Sequence, residues 1–419
     1  MRRLSLFAPL LAIGLTCPAV AASPEQVAAA ALRAAPVWDG HNDVPIQLRE
    51  RRKNVIEGFN FAEWQGTADP ATNATAMHTD LARLRTGRVG AQFWSVYVSA
   101  ELNDQQAVQA TLEQIDVLKR LVARYPGRLQ LATNTAEVEK AMQAGRIASL
   151  IGMEGGHSIG GSLGVLRQMY ALGARYMTLT HSKNTAWADS STDAPEHGGL
   201  TDYGRDVVRE MQRIGMLVDL SHVSAETMHE ALDVAKVPVI FSHSGSRAIN
   251  GHPRNVPDDV LTRLKANGGL VMVNFVPDFV SEESRVWSAA QKAEKARVEA
   301  LHVGNPEAAK AALEAWVAAH PQPRATLAQV ADHIDHIAKV AGVDHVGIGG
   351  DFDGIGALPQ GLEDVSTYPA LFTELARRGY GRQDLEKISS RNMMRVMKAA
   401  EVYAAAHRGD LPVESAVTF

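Results

Sequence analysis

One glutamate stands where a charged side chain is costly. Glu154 ends the apolar run of residues 150–153 and is followed at once by two glycines. A short apolar run before glycine predicts a buried strand that ends at a tight turn. Because desolvating a lone carboxylate costs several kcal/mol, Glu154 needs a cation or a proton beside it.

Six more residues with ligating side chains end apolar runs in the same way: His41, Asp43, His181, His222, His243 and Asp351. His41 and Asp43 are two positions apart, so their side chains leave the same face of a strand and could bind one ion. His222 and His243 close two successive predicted strands, which makes them neighbours. A glutamate that faces both pairs could bridge two metal ions through its two oxygens.

The donor set indicates which ion and which reaction to expect. Cys17 is the only cysteine, so the site must be built from imidazole and carboxylate groups. These ligands fit Zn²⁺ best and allow Mn²⁺, Fe²⁺ or Co²⁺. Two ions that share a water lower its pKa and polarise a carbonyl, which implies metal-assisted hydrolysis.

A simpler interpretation exists for each residue taken alone. A histidine at a strand end is more often a hydrogen-bonded structural group than a ligand, and Asp43 alone could form a helix cap or a turn. Seven such residues at the ends of six strands favour one common site. Five other histidines have simpler interpretations: His78, His157 and His252 as structural or supporting residues, and His333 and His336 as exposed residues of one helix.

The elements that must position these residues follow from eight apolar or β-branched runs. The runs are residues 37–43, 89–99, 148–154, 175–181, 216–222, 237–243, 269–275 and 345–351. Helical spacing of apolar residues separates most of them, as in residues 105–125, 203–214, 225–234, 256–265 and 327–340. Eight alternations of strand and helix predict an α/β fold, a parallel TIM-like (β/α)8 barrel. A doubly wound open sheet is the alternative, but no GxGxxG phosphate loop is present.

Barrel geometry explains how distant residues could meet. The carboxyl ends of the strands converge at one mouth, so residues roughly 300 positions apart can lie within a few Å of each other. Two stretches exceed the minimal unit, a loop-rich excursion at 51–88 and a helical insert at 281–320 before the last strand, and we expect both over the catalytic face. Residues 368–378 and 382–405 predict closing helices of one large domain.

Composition limits the partners and the location. The net charge is −5 with histidine neutral, which argues against a nucleic-acid partner held by a basic surface. Residues 1–22 are typical of a secretory signal peptide, with Arg2 and Arg3 before an apolar core that is too short to span a membrane. No later run predicts a transmembrane segment. We therefore expect a soluble exported domain, periplasmic or secreted, over residues 23–419.

Seven short motifs occur in order along the chain. They are DGHND (39–43), GMEG (152–155), LTHS (179–182), VDLSH (218–222), FSHS (241–244), RNVPD (254–258) and GGDFDG (349–354). Together they resemble the renal (membrane) dipeptidase family, binuclear zinc dipeptidases with an amidohydrolase-like barrel, from about residue 35 to residue 400. The resemblance implies hydrolysis of dipeptides, including those with a C-terminal D-residue, by a hydroxide that bridges two Zn²⁺ per chain.

The resemblance also assigns the metal ligands. It implies that His41 and Asp43 bind one zinc ion. His222 and His243 would bind the other, and Glu154 would bridge the two.

The resemblance also implies roles in substrate binding and proton transfer for three further residues. His181 would hydrogen-bond the oxyanion that develops on the peptide carbonyl. Arg254 would hold the C-terminal carboxylate of the substrate with its forked guanidinium. Asp351 would either move the proton from the nucleophile to the leaving amine or anchor the free ammonium of the substrate.

Two other functions stay open. Another barrel hydrolase could act on cyclic amides or lactones, but such sites usually begin with His-x-His and often use a modified lysine as the bridge. Here the first motif is His41-Asn42-Asp43 and the bridge is Glu154. A non-catalytic protein that binds metal or peptide would be expected to lack a ligand, and none is missing. The resemblance implies small dipeptide partners and allows a homodimer.

Overall fold

The structure is a computed structural model that describes residues 22–69 and 74–415. Within these ranges the strands form one parallel sheet. In chain order they are β1 (Val37–Asn42), β2 (Val89–Ser95), β3 (Leu129–Leu131), β4 (Ile147–Glu154), β5 (Ala174–Thr178), β6 (Leu217–Asp219), β7 (Ile240–Ser244), β8 (Leu270–Val273) and β9 (Val346–Ile348).

The sheet closes on itself. β2 pairs with β4 as well as with β1, so eight strands form a ring in the order β1, β2, β4, β5, β6, β7, β8, β9. The short β3 pairs with the first three residues of β4. The predicted TIM-like (β/α)8 barrel is confirmed, and each of the eight predicted runs overlaps one strand of the ring. The apolar pattern missed β3, which is only three residues long.

Helices surround the ring. They are α1 (Pro24–Ala34), α2 (Val44–Arg52), α3 (Leu81–Thr86), α4 (Asp104–Arg124), α5 (Thr135–Gln143), α6 (Leu163–Ala171), α7 (Asp202–Ile214), α8 (Ala225–Val234), α9 (Asp258–Asn267), α10 (Pro277–Val280), α11 (Glu282–Leu301), α12 (Pro306–Ala319), α13 (Leu327–Val340), α14 (Tyr368–Arg377), α15 (Arg382–Glu386) and α16 (Asn392–Ala406). The predicted bounds of α8 and α13 match the structure, because the side chains of Ser224 and Thr326 cap their first turns.

Two apolar cores hold the barrel together. The inner core fills the ring with side chains such as Trp38, Phe93 and Leu150, and Met393 and Met397 of α16 pack against it. The outer core lies between the strands and the surrounding helices. Because the strands are buried on both faces, they appear in the sequence as continuous apolar runs rather than as alternating ones.

The helical insert predicted at 281–320 is present as α11 and α12. It follows α10 directly, beyond the carboxyl end of β8. The two helices contact each other through Trp287 and Trp316, whose ring centroids are 6.0 Å apart. Few of their residues are buried, so the insert adds little to the two cores.

The predicted signal peptide lies outside the described residues, apart from Ala22. Its removal, and the start of the mature domain at residue 23, stay predictions. Among the helices that the structure describes, none has the length and apolarity needed to cross a membrane.

Candidate metal centre

Glu154 lies at the centre of the barrel mouth, with its two carboxylate oxygens facing different partners. Oε2 lies 3.2 Å from Nε2 of His41. Oε1 lies 3.0 Å from Nε2 of His222 and 3.5 Å from Nε2 of His243. Side chains from β1, β4, β7 and the residues after β6 therefore meet within one small volume, because the carboxyl ends of parallel strands converge.

Two further carboxylates, those of Asp43 and Asp351, flank His41. Nε2 of His41 lies 3.4 Å from Oδ2 of Asp43 and 4.0 Å from Oδ1 of Asp351. Asp43 is the residue before α2, and Asp351 follows β9 with a φ of 61°. Its peptide nitrogen donates to the carbonyl oxygen of His41 at 3.2 Å. This hydrogen bond ties the loop after the last strand to the end of the first.

The side chains form three overlapping sets that could each hold a metal ion. Within each set the ligand atoms lie within 4.8 Å of one another. The sets are His41, Glu154 and His243; Glu154, His181 and His222; and His41, Asp43 and Asp351. They contain all seven of the residues singled out at strand ends. The sequence did not predict that His181 and Asp351 would lie as close to the ligands as the ligands lie to each other.

The donor atoms fit a metal ion. Nε2 of His41 is fully buried and has no hydrogen-bond partner among the described residues. Nε2 of His222 and Nε2 of His243 face each other at 2.9 Å. Two imidazole nitrogens at this separation must share a proton or a cation, since two lone pairs repel. Nitrogen and carboxylate donors without sulfur suit a divalent transition metal.

Hydrogen bonds behind the centre orient two of the rings. Nδ1 of His41 lies 2.9 Å from the hydroxyl of Tyr176, which donates to the carbonyl oxygen of Gly40 at 3.3 Å. With Nδ1 of His41 engaged by that hydroxyl, Nε2 is the ring nitrogen that faces the carboxylates of Asp43 and Glu154. Such partners behind a metal-binding histidine set its tautomer.

A similar relay stands behind His243. Its Nδ1 lies 2.8 Å from Oγ of Ser242, which donates to Oδ2 of Asp219 at 2.5 Å. Asp219 ends β6 and also accepts the peptide N–H groups of Ser221 and Ser242. One buried carboxylate therefore positions the residues that follow β6 and the ring carried by β7.

Burial and neighbouring charges shift the pKa values of the centre in opposite directions. Burial alone would raise the pKa of Glu154, but His41 and His222 beside it hold that pKa well below its usual value. Burial would lower the pKa of His41, and the groups facing it, Glu154 among them, instead raise it well above the usual value. On the far side, burial lowers the pKa values of His222 and His243, with Arg254 adding to the effect. These two rings are neutral, the form in which imidazole binds metal.

A cavity of about 320 Å³ opens above the centre. Its lining includes Glu154, His181, Arg254 and Asp351. Burial, together with the nearby carboxylate of Asp43, raises the pKa of Asp351 well above its usual range. The cavity thus brings a carboxyl group with a raised pKa and a guanidinium to the same metal-binding floor.

Arg254 is buried without a carboxylate partner. Nη1 donates to Oγ of Ser244 at 3.3 Å and Nη2 to the carbonyl oxygen of His243 at 3.2 Å. The guanidinium lies over the ring of Phe279, 5.3 Å from its centroid. Among the described residues it has no ion pair, and burial lowers its pKa to about 10. A buried cation of this kind is poised for an anion from outside the protein.

Several residues of the site were not found from the sequence. Ser95 donates to Oε2 of Glu154 at 2.9 Å, and Tyr176, Ser242 and Asp219 support the rings. Ser95 and Tyr176 lie inside predicted strands, where a polar side chain facing the barrel axis is the signal that could have indicated them. Asp219 and Ser242 lie within motifs that had been noted only for their histidines.

The supporting histidines have the structural contacts that we expected. His78 exchanges hydrogen bonds with Asp353, since its peptide N–H donates to the carboxylate and its Nδ1 accepts the peptide N–H of Asp353. His157 lies 3.2 Å from the carbonyl oxygen of Ser99. His252 accepts the peptide N–H of Arg254 at 3.1 Å and so supports that residue.

The prediction for His333 was wrong. We expected an exposed residue of a helix, but its side chain is fully buried on α13. Nδ1 accepts the peptide N–H of Ser246, and Nε2 lies 3.1 Å from the carbonyl oxygen of Val280. The helical face that carries His333 packs on the loop after β7, and a polar residue there is stable because both ring nitrogens are satisfied.

Comparisons with known proteins agree with this architecture. Residues 25–410 match the family described as membrane dipeptidase (peptidase family M19). A relative described as an uncharacterised dipeptidase of Schizosaccharomyces pombe is 42% identical over 393 residues, covering 90% of this chain and 84% of the relative. Dipeptidase 3 of Rattus norvegicus is 41% identical over 394 residues, covering 93% of this chain and 70% of that protein.

Solved structures share the fold. The probable dipeptidase PvdM of Pseudomonas aeruginosa superposes with a TM-score of 0.77 at 23% identity, over 91% of this chain and 99% of that one. A metallopeptidase of Rhodobacter sphaeroides, liganded with a phosphinate mimic of L-Ala-D-Ala, superposes with a TM-score of 0.70 at 24% identity, over 87% and 99%. With the family match across nearly the whole chain, this protein belongs to the membrane dipeptidase family, peptidase family M19, and is a metallo-dipeptidase.

Proposed function

We propose that this protein hydrolyses dipeptides with two zinc ions bound at Glu154, and that it accepts a D-residue at the second position. The observation that carries the proposal is that the two carboxylate oxygens of Glu154 face different imidazoles. Oε2 lies 3.2 Å from Nε2 of His41, and Oε1 lies 3.0 Å from Nε2 of His222. A carboxylate with one ligand set on each oxygen is suited to bridge two ions. A single-metal site would leave one of these sets without a cation.

In this proposal His41 and Asp43 hold one ion, His222 and His243 hold the other, and Glu154 bridges them. Two bound Zn²⁺ ions would supply an activated water and would polarise the peptide carbonyl. The chain fixes the lone pairs that receive them, since Tyr176 engages Nδ1 of His41 and Ser242 engages Nδ1 of His243.

The substrate carboxylate is assigned to Arg254. Its guanidinium is buried, lines the cavity and has no ion pair among the described residues. A forked guanidinium binds a carboxylate through two parallel hydrogen bonds. This contact selects a peptide whose C-terminus lies one residue beyond the scissile bond, because a longer peptide carries its carboxylate elsewhere.

His181 and Asp351 act on protons. The pKa of His181 is lowered by burial, so the ring is neutral near pH 7, and its Nδ1 lies 3.2 Å from Oγ of Ser182. If Ser182 donates to Nδ1, Nε2 carries the proton and can donate to a developing oxyanion. Asp351, whose pKa is raised, accepts the proton of the attacking water and returns it to the leaving amine.

The proposed tolerance of a D-residue at the second position rests on similarity and on the cavity. The neighbour of R. sphaeroides is liganded with a mimic of L-Ala-D-Ala. In this chain, Tyr97, Val276, Phe279 and Ile355 line the cavity and present apolar surface to a small side chain.

We also propose export by the leader of residues 1–22, which would deliver the enzyme to peptides outside the cytoplasm.

The test combines metal content with a substrate panel. Purified protein should contain about two zinc ions per chain by mass spectrometry, and it should hydrolyse Gly-Leu and L-Ala-D-Ala until a chelator is added. The Asp351→Asn variant separates two roles, since loss of proton transfer lowers kcat whereas loss of an ammonium anchor raises KM. One ion per chain with full activity, or turnover of cyclic amides alone, would contradict the proposal.

A further inference from the structure

A second cavity lies at the opposite end of the barrel from the metal centre. Its volume is about 240 Å³, and its walls include Leu32, Leu81, Val89 and Ile147. β4 spans the distance between the two sites, with Ile147 at its first position and Glu154 at its last. At roughly 3.3 Å per residue the two are about 23 Å apart along the strand, so no ligand could occupy both.

Among the described residues, five arginines and no acidic residue line this lower cavity. They are Arg33, Arg85, Arg88, Arg128 and Arg146. None of their side chains forms an ion pair or a hydrogen bond with another described residue. The residues outside the described ranges contain no aspartate or glutamate. This unpaired cationic cluster stands out in a chain whose net charge is −5.

Helix dipoles explain only part of the cluster. Arg33 and Arg85 lie in the last turns of α1 and α3, where a cation is stabilised by the helix carbonyl groups. Arg88, Arg128 and Arg146 have no such reason, because each lies directly before a strand. What these three arginines share is their position in the lining of the cavity.

The backbone holds these three arginines in place. The carbonyl oxygen of Arg88 accepts the peptide N–H of Val37 at 2.9 Å, and that of Arg128 accepts the peptide N–H of Ile147 at 2.8 Å. The N–H of Arg146 donates to the carbonyl oxygen of Ala141 at 2.9 Å. The guanidinium groups therefore extend from a rigid frame, which lowers the entropy cost of gathering them on one ligand.

Like charges gathered without counter-charges raise the free energy of the folded state. An anion with two charges removes that repulsion, and planar guanidinium groups match the oxygens of phosphate, sulfonate or carboxylate. The apolar walls would cover a short hydrocarbon body. We propose that the lower cavity binds a small soluble organic dianion, of the class of phosphate monoesters, away from the peptide-cleaving site.

The experiment uses two probes on the metal-loaded enzyme at low salt. Phenyl phosphate has the proposed chemistry, and benzene-1,3-disulfonate is a dianion of similar shape that binds metal weakly. Calorimetry should give saturable binding of both. The Arg88→Gln/Arg146→Gln double variant should bind each probe about tenfold more weakly or worse, since it removes two of the guanidinium groups that would bind the anion.

A matched control removes two other cations from the same face of the barrel. Lys236 and Lys265 precede β7 and β8, are exposed, form no ion pair with a described residue and do not line the cavity. The Lys236→Gln/Lys265→Gln variant should bind both probes as the parent does. Should Arg88→Gln/Arg146→Gln fail to fold by thermal melting, Arg85→Gln/Arg128→Gln takes its place.

Several results would overturn the proposal. They are the absence of saturable binding, an equal loss in the lysine control, or binding that survives the arginine changes and is lost in Arg254→Gln. The last outcome would move the probe to the metal-side cavity. Sedimentation with phosphatidylglycerol vesicles, without binding of soluble phenyl phosphate, would replace the small-molecule ligand with a membrane surface.

Discussion

The two ends of the barrel treat charge differently. At the carboxyl ends of the strands, His41, Glu154 and His243 are buried against one another. At the amino ends, Arg33, Arg85 and Arg88 are exposed and form no ion pair with another described residue. In the first region each buried charge depends on its neighbours for a counter-charge. In the second region the charges are exposed, and water screens them. Substitutions should therefore have large effects on activity or stability at the carboxyl ends of the strands and small effects at the amino ends, where the lower cavity lies.

The largest effect should come from Glu154→Gln. The amide keeps the shape but removes the charge between the imidazoles, so both bound metal and turnover should fall, turnover by about a thousandfold or more. Mass spectrometry of the metal and a Gly-Leu assay measure the two losses. The control is Glu101→Gln, an exposed glutamate paired with Lys183 at 2.6 Å, which should leave both unchanged. A Glu154→Gln protein with two ions and full turnover would end the bridging assignment.

Arg254→Leu should come next and should act on binding rather than on metal. Losing the charged hydrogen bonds to the substrate carboxylate should lower kcat/KM by about a hundredfold, mostly through KM. The parent enzyme should discriminate strongly between a dipeptide and its C-terminal amide, and the variant should not. Unchanged metal content is the internal control. If Arg254→Leu still discriminates against the amide, another group binds the carboxylate.

Gly152→Ala tests the frame between the two ends. A Cβ on Gly152 would lie 2.0 Å from Cζ of Tyr176, the residue that orients His41. Neither the strand nor the ring can move freely in the inner core, so unfolding free energy should fall by about 3 kcal/mol, as for severe overpacking. Chemical denaturation measures it. Gly164→Ala on α6, where the nearest atom is 3.4 Å away, should be neutral or slightly stabilising.

His333 predicts a pH dependence of stability. Burial lowers its pKa to about 4 in the folded protein, against about 6.5 when unfolded. Below pH 6.5 the unfolded chain takes up a proton that the folded chain refuses, so stability is full above pH 6.5 and falls towards pH 4. Between pH 7 and pH 5 the loss from this group should be about 2 kcal/mol. In His333→Gln that part of the slope should disappear, whereas His336→Gln, at a half-buried position on the same helix, should keep it.

The sequence predicted the barrel and its mouth because the relevant signals are local. Strands buried on both faces appear as apolar runs, and each candidate ligand stands at the end of one. Once the barrel was inferred, the convergence of Glu154 with His41 and His243 followed from topology alone. The same local logic found α8 and α13 at their observed bounds.

What escaped prediction depends on contacts between distant elements. The support of His41 by Tyr176 joins β1 to β5, two strands that are not neighbours in the ring, and such a contact across the barrel interior has no local sequence signal. His333 shows the same difficulty, since its burial depends on the loop after β7. The five arginines of the lower cavity lie at scattered positions with ordinary surface composition, and only the ring of strands gathers them.

The smallest predicted effect lies at that lower end and has an unusual sign. In chloride buffer, Arg88→Gln/Arg146→Gln should raise unfolding free energy by about 0.5 kcal/mol, because it relieves repulsion among exposed like charges, and 0.5 M salt should abolish the gain. With phenyl phosphate at about 100 times the parent's Kd, the parent gains about 2.7 kcal/mol and the variant, which binds about tenfold more weakly, gains about 1.4 kcal/mol, so the order of stabilities should reverse. Denaturant titrations of parent, variant and the Lys236→Gln/Lys265→Gln control measure both signs. A double variant destabilised by more than about 1 kcal/mol without ligand would mean that these arginines support the fold itself, and the contrast between the two ends would then be wrong.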